Sequence, residues 1–81
     1  MQVTIRLFAG LRDIAGAADL VREVPAGATV EQAWQGLAGE FPAMAPHRAS
    51  LSAAVNAEYA RFTRALAAGD EVVFLPPVSG G

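Results

Sequence analysis

A pair of glycines closes the chain, set behind two prolines: Pro76-Pro77-Val78-Ser79-Gly80-Gly81. The chemistry open to such an ending is that of its carboxyl group. Glycine has no side chain to obstruct attack on the carboxyl carbon, passes through narrow tunnels, and accepts dihedrals that other residues avoid. A bare carboxylate is a poor electrophile, because its charge repels nucleophiles and its leaving group would be oxide. ATP removes both obstacles by forming an acyl-adenylate, from which AMP departs; a persulfide sulfur taking its place leaves a thiocarboxylate. In that scheme Gly81 is the reacting residue and Gly80 gives it access, and no catalytic side chain is required here. An ordinary frayed end could also finish in two glycines, but with Gly at about 7% of residues that happens by chance in roughly 0.5% of chains.

The rest of the sequence offers no competing catalytic set. There is no cysteine, which removes disulfides, thiolate metal sites, iron–sulfur clusters and a cysteine nucleophile from this chain. His47 is the only histidine and sits in a proline-rich stretch, without the companions of a metal site or a triad. Asp70 and Glu71 are adjacent, and neighbours on a strand point to opposite faces, so they do not form an acid–base pair. All six cations are arginines, so the chain offers no lysine as an isopeptide acceptor or Schiff-base amine.

What must present the tail is a small folded body. Val3, Ile5 and Leu7 alternate with Gln2, Thr4 and Arg6 as in a half-buried strand, which leaves Phe8 on the polar side of the alternation. Residues 9–16 suit a short helical turn ending at Gly16, and residues 18–24 read as a second strand that closes a hairpin with the first. Thr29 with Gln32 gives a capping-box signature, and Val30, Ala33, Trp34, Leu37 and Phe41 recur at helical spacing. The spacing predicts a helix over about 30–41, stopped by Pro42, with Trp34 on its apolar stripe. Residues 42–50 read as a loop with at most one turn. Short strands follow at 51–56 and around 59–62, then a last strand at 71–75. The expected fold is α+β, a mixed sheet packed on one main helix in the manner of a β-grasp domain over residues 1–75. Residues 76–81 are expected to form an extended, flexible tail, since the prolines cannot donate to a ladder.

Composition agrees with one soluble body. At 81 residues there is room for a single modest core, and 53% hydrophobic against 17% charged residues suits neither a disordered chain nor a membrane span. Arg6, Arg12 and Asp13 interrupt the region where a signal peptide would need its apolar run, so a cytoplasmic location is expected. The net charge of −2, without a basic stripe, argues against nucleic acid, and no apolar run argues for a membrane.

The segment Gly69-Asp-Glu-Val-Val-Phe-Leu-Pro-Pro-Val-Ser-Gly-Gly81 closely resembles the ending of the MoaD family, the small subunits of molybdopterin synthase. Leu7-Phe8-Ala9-Gly10-Leu11-Arg12, the Thr29-Val30 helix start after Pro25-x-Gly27, and Ala54-Val55-Asn56-x-Glu58 resemble it as well, in order along essentially the whole chain. The resemblance implies a ubiquitin-like β-grasp fold and a sulfur-carrier cycle. A MoeB-like adenylyltransferase would use ATP to adenylate Gly81, and a sulfurtransferase would supply the sulfur, leaving a covalent 1-thioglycine with no resident cofactor or metal. The tail would then enter a MoaE-like large subunit, in a heterotetramer, and give its sulfur to cyclic pyranopterin monophosphate. This chain would carry sulfur without itself being the catalyst.

On the same resemblance, Phe8, Tyr59 and Leu75 would form an apolar partner patch beside the tail root, continued by Pro76, Pro77, Val78 and Ser79. Arg12 would orient the tail or meet an acidic partner group; as a plain surface arginine it would do neither. Two other functions share the same ending: a thiocarboxylate carrier for another pathway, as in ThiS-like proteins of thiazole synthesis, and a ubiquitin-like modifier of target lysines. A plain binding domain with an inert tail would be indifferent to loss of Gly81.

Overall fold

The computed structural model describes residues 1–77; Val78, Ser79, Gly80 and Gly81 lie outside the described residues. Its elements run β1 Gln2–Leu7, α1 Ala9–Ala15, β2 Asp19–Glu23, α2 Val30–Glu40, a 3-10 helix Pro42–Ser50, β3 Ser52–Val55, β4 Glu58–Ala60 and β5 Glu71–Leu75. The strands form one sheet in the order β2-β1-β5-β3-β4. β1 and β5 are parallel at its centre, while β2, β3 and β4 pair antiparallel to their neighbours. This is the mixed sheet on a main helix that the alternation and the helical stripe predict.

One face of the sheet carries the core. Val3, Ile5 and Leu7 of β1, Ala53 and Val55 of β3, and Val72 and Phe74 of β5 meet Ala33, Trp34 and Leu37 of α2. Phe74 is the pivot: Trp34 meets it edge-on with ring centroids 5.1 Å apart, and Phe62 stacks at 6.1 Å. Trp34 is thus a core residue, as its place on the apolar stripe predicts. The α2 N-terminus carries the expected box, with the Thr29 hydroxyl accepting from the Gln32 N–H and the Gln32 side chain accepting from the Thr29 N–H. Pro42 follows the last helical turn, and Phe41 before it has left helical geometry at ψ 84°.

Residues 42–50 correct the sequence reading: they form a nine-residue 3-10 helix, not a loop with one turn. Pro42 starts it with a pre-set φ, and Met44 is buried in the core. Arg48 then fastens it from outside. Its guanidinium holds the Glu31 carboxylate through Nε and Nη2 at 2.7–3.1 Å and lies 3.6 Å over the Phe62 ring. Those long-range contacts, not local periodicity, define the segment. The connection between β1 and β2 also holds α1, ended by Gly16 at φ 73°, so the antiparallel pair is joined by a helix.

Candidate partner face and tail root

Everything the sequence places at the tail depends on how β5 is held. β5 lies inside the sheet with β1 on one side and β3 on the other, so Leu75 sits opposite Ser52 and Phe74 opposite both Leu7 and Ala53. Strand order therefore roots the tail in a doubly paired strand, one of the last parts of a sheet to open. Pro76 is half-buried and Pro77 exposed. Neither can donate to a neighbouring strand, which ends the ladder there.

The entry to β5 is fixed by a polar knot. The Asp70 carboxylate accepts the Ala67 N–H at 2.8 Å and the Asn56 amide at 2.9 Å, while the Asn56 carbonyl oxygen accepts the Glu71 N–H at 2.9 Å. The hydrogen bond from the Ala67 backbone, then that from Asn56, holds the Asp70 carboxyl below the usual aspartate range. Asp70 is the turn residue its sequence context predicts. Asn56 and Ala57 form the two-residue β3–β4 turn with φ of 50° and 69°, so a left-handed alanine occupies a place glycine would take more easily.

Among the described residues no helix covers the second face of the sheet. The buried residues of α1, α2 and the 3-10 helix all belong to the core cluster on the other side. Alternation puts Arg6, Val21, Ala54, Tyr59, Val73 and Leu75 on this open face. Phe8 directly follows Leu7, which pairs with Phe74, so it is brought beside Leu75 at the edge where the tail leaves. Phe8 is 43% exposed and Tyr59 83%. Tyr59 is farther off, opposite Ala54, which in turn pairs with Val73. The three aromatic and aliphatic residues expected to form a patch thus share a face, with Val73 and Ala54 filling the space between them.

Arg12 is not on that face. It is exposed on α1 and, among the described residues, makes no side-chain hydrogen bond or ion pair. It lines a shallow depression with Asp13, Gly16, Ala17 and Ala18. His47 is exposed, and the neighbouring Ser50 hydroxyl donates to its backbone carbonyl, not its ring. Gly80, Gly81, Val78 and Ser79 fall outside the described residues.

Sequence reading missed the interior of the face. Val73 and Ala54 are ordinary strand residues whose importance comes only from register. Val21, 54% exposed, extends the apolar surface to the β2 side. Arg6 stands in the same face between two carboxylates, hydrogen-bonded to Asp19 at 2.9 Å and 3.6 Å from Glu71. Hydrogen bonding to Asp19, with the charge of Glu71 behind it, raises its already high pKa, so the guanidinium stays charged. Among the described residues no cluster of His, Cys, Asp or Glu could hold a metal ion, and no helix is long and apolar enough to cross a membrane.

Comparison with known proteins matches residues 5–81 to the ThiS family. The chain is 31% identical over 81 residues to the molybdopterin synthase sulfur carrier subunit of Arabidopsis thaliana, covering 100% of this chain and 84% of that protein. It is 36% identical over 83 residues to the subunit of the same name in Escherichia coli, covering 98% of this chain and 99% of that one. A crystal structure of Haloferax volcanii small archaeal modifier protein 1 superposes with a TM-score of 0.84 at 31% identity, over 95% of this chain and 98% of that one.

Proposed function

This chain belongs to the ThiS family, and from that premise we propose that it is a sulfur carrier acting as the small subunit of a molybdopterin synthase. Residues 1–75 are the β-grasp body and residues 76–81 the extended tail that does the work. The Gly81 carboxylate attacks ATP in the site of a MoeB-like adenylyltransferase, and pyrophosphate leaves. A sulfurtransferase-borne persulfide displaces AMP, and reduction of the resulting disulfide bond frees the thiocarboxylate, a covalent 1-thioglycine at position 81. Its sulfur then passes to cyclic pyranopterin monophosphate in the site of a MoaE-like large subunit, and two loaded carriers serve each pterin.

The observation that carries this reading is the family likeness running unbroken through the terminal glycines, together with whole-length similarity to sulfur carrier subunits. In this reading the open face is the docking surface. Phe8, Tyr59 and Leu75 seat on the large subunit and on the adenylyltransferase in turn, and Pro76, Pro77, Val78 and Ser79 line the tunnel that admits Gly80 and Gly81. Arg12, exposed on α1 and without a side-chain partner among the described residues, meets a partner carboxylate. Apolar anchors of this kind carry most of the energy of an interface, with the charged rim setting orientation.

Reconstitution tests it. The chain, ATP, an adenylyltransferase, a sulfur donor and a large subunit should convert the pterin to its dithiolene, and removal of Gly81 should abolish conversion while leaving the fold intact. Full conversion by the shortened chain would contradict the proposal. Likeness to an archaeal modifier favours a second reading, conjugation through Gly81 to lysines of other proteins. Covalent adducts of this chain on many proteins in cells would support that reading over the first.

A further inference from the structure

A guanidinium stands in the middle of the face that the proposed docking uses. Register puts Arg6 beside Val73 of β5 on one side and Asp19 of β2 on the other, with Phe8 two residues farther along β1 toward the tail root. Val21, Val73, Leu75 and Phe8 stand around it, so a partner seated on those apolar side chains also lies over Arg6. Arg6 is half-exposed, and such cover expels the water that now satisfies it. A donor then left without an acceptor costs more than a typical hydrogen bond returns.

Much of the arginine fork is available to a partner. Nε donates to the Asp19 carboxylate at 2.9 Å, while Nη2 stands 3.6 Å from the Glu71 carboxylate, beyond hydrogen-bond reach. Neither terminal nitrogen of Arg6 donates a hydrogen bond among the described residues. The two carboxylates hold the guanidinium from the β2 and β5 sides, which reduces the rotamer freedom it would lose on binding. They also decide which chemistry can face it. One guanidinium between two carboxylates leaves the group anionic, so a third carboxylate brought close would be repelled. An apolar surface would strand the terminal N–H groups. An uncharged oxygen accepts from them without either cost.

We propose that Arg6 is the polar anchor of the docking face and a determinant of partner choice, donating through its terminal nitrogens to uncharged oxygens, backbone carbonyl or side-chain amide, on the large subunit. Asp19 and Glu71 are positioning residues for it. This rests on the reading of the chain as a small subunit that docks by its open face. The test is calorimetric titration of the large subunit with the full chain at about 50 mM and about 500 mM salt. Arg6→Met, which keeps an apolar stem without a donor, should weaken binding at least about tenfold at both concentrations. Arg6→Lys, whose ammonium keeps the charge but not the planar fork, should weaken it at least about fivefold. Far-UV circular dichroism should show the wild-type fold in both, because the ion pairs they alter lie at the surface. Wild-type affinity in either variant would overturn the proposal. A loss in Arg6→Met that disappears at the higher salt would also overturn it, because the acceptor would then be a screened charge. Failure of the wild-type chain to bind the large subunit would remove the small-subunit reading and this proposal together, whereas wild-type binding that Arg6→Met leaves unchanged removes this proposal alone.

Discussion

Removing the Asp70 carboxylate should loosen the root of the tail by a predictable and pH-dependent amount. Asp70 accepts one backbone N–H and one amide N–H, and both donors can be rehydrated because Ala67 and Asn56 are exposed. At about 1 kcal/mol per net hydrogen bond, Asp70→Ala should cost about 2 kcal/mol near neutrality. For a domain of this size each kcal/mol shifts Tm by about 4–8 °C, which gives a loss of about 8–16 °C. Asp70→Asn keeps an acceptor but not the charge and should lose about half as much. The folded pKa of Asp70 lies below its unfolded value. Its charge therefore stabilises fully above the unfolded value, about 3.9, and the contribution disappears as pH falls through the lower folded value. Thermal unfolding by circular dichroism should show wild type and Asp70→Asn converging between about pH 7 and pH 2. A gap that stays constant over that range, or an Asp70→Ala cost below about 0.5 kcal/mol, would refute the knot as the fastening of β5.

Three further outcomes follow from other parts of the fold. Ala57→Gly should raise stability by about 0.5–1 kcal/mol, read as a higher Tm, because it relieves a left-handed alanine at the β3–β4 turn. Arg48→Ala should cost about 1–2 kcal/mol and selectively speed amide exchange within Pro42–Ser50, since Arg48 joins that segment to Glu31 and Phe62. Tyr59→Arg, at an 83% exposed position, should leave stability within about 0.5 kcal/mol of wild type yet weaken binding to a large subunit at least about tenfold, measured by calorimetry.

The parts of this fold governed by short-range periodicity were legible in the residues. β1 buries a strict alternation, α2 a helical stripe and β5 a continuous apolar run, and the Thr29–Gln32 box and Pro42 mark the ends of α2. Segments held by distant partners were not. The 3-10 helix owes its form to Met44 in the core and to Arg48 reaching Glu31 seventeen residues back, a distance no local window covers. The candidate face divides the same way. Phe8 stands out as an aromatic on the wrong side of an alternation, whereas Val73, Ala54 and Val21 join it only through strand order and register. The role of Arg6 between Asp19 and Glu71 likewise needs three strands to be placed side by side. The tail itself could be read only as chemistry, because glycine and proline there mark what the segment must do and not what it packs against.

The central claim is that reactivity resides in the carboxyl group of Gly81. Intact mass measured after incubation with ATP, an adenylyltransferase and a persulfide donor, followed by a thiol reductant, tests it most directly. The account predicts a gain of about 16 mass units, oxygen replaced by sulfur, confined by fragmentation to the last residue and absent without ATP. An unchanged mass under conditions that load a known sulfur carrier, or a gain located anywhere else in the chain, would contradict it.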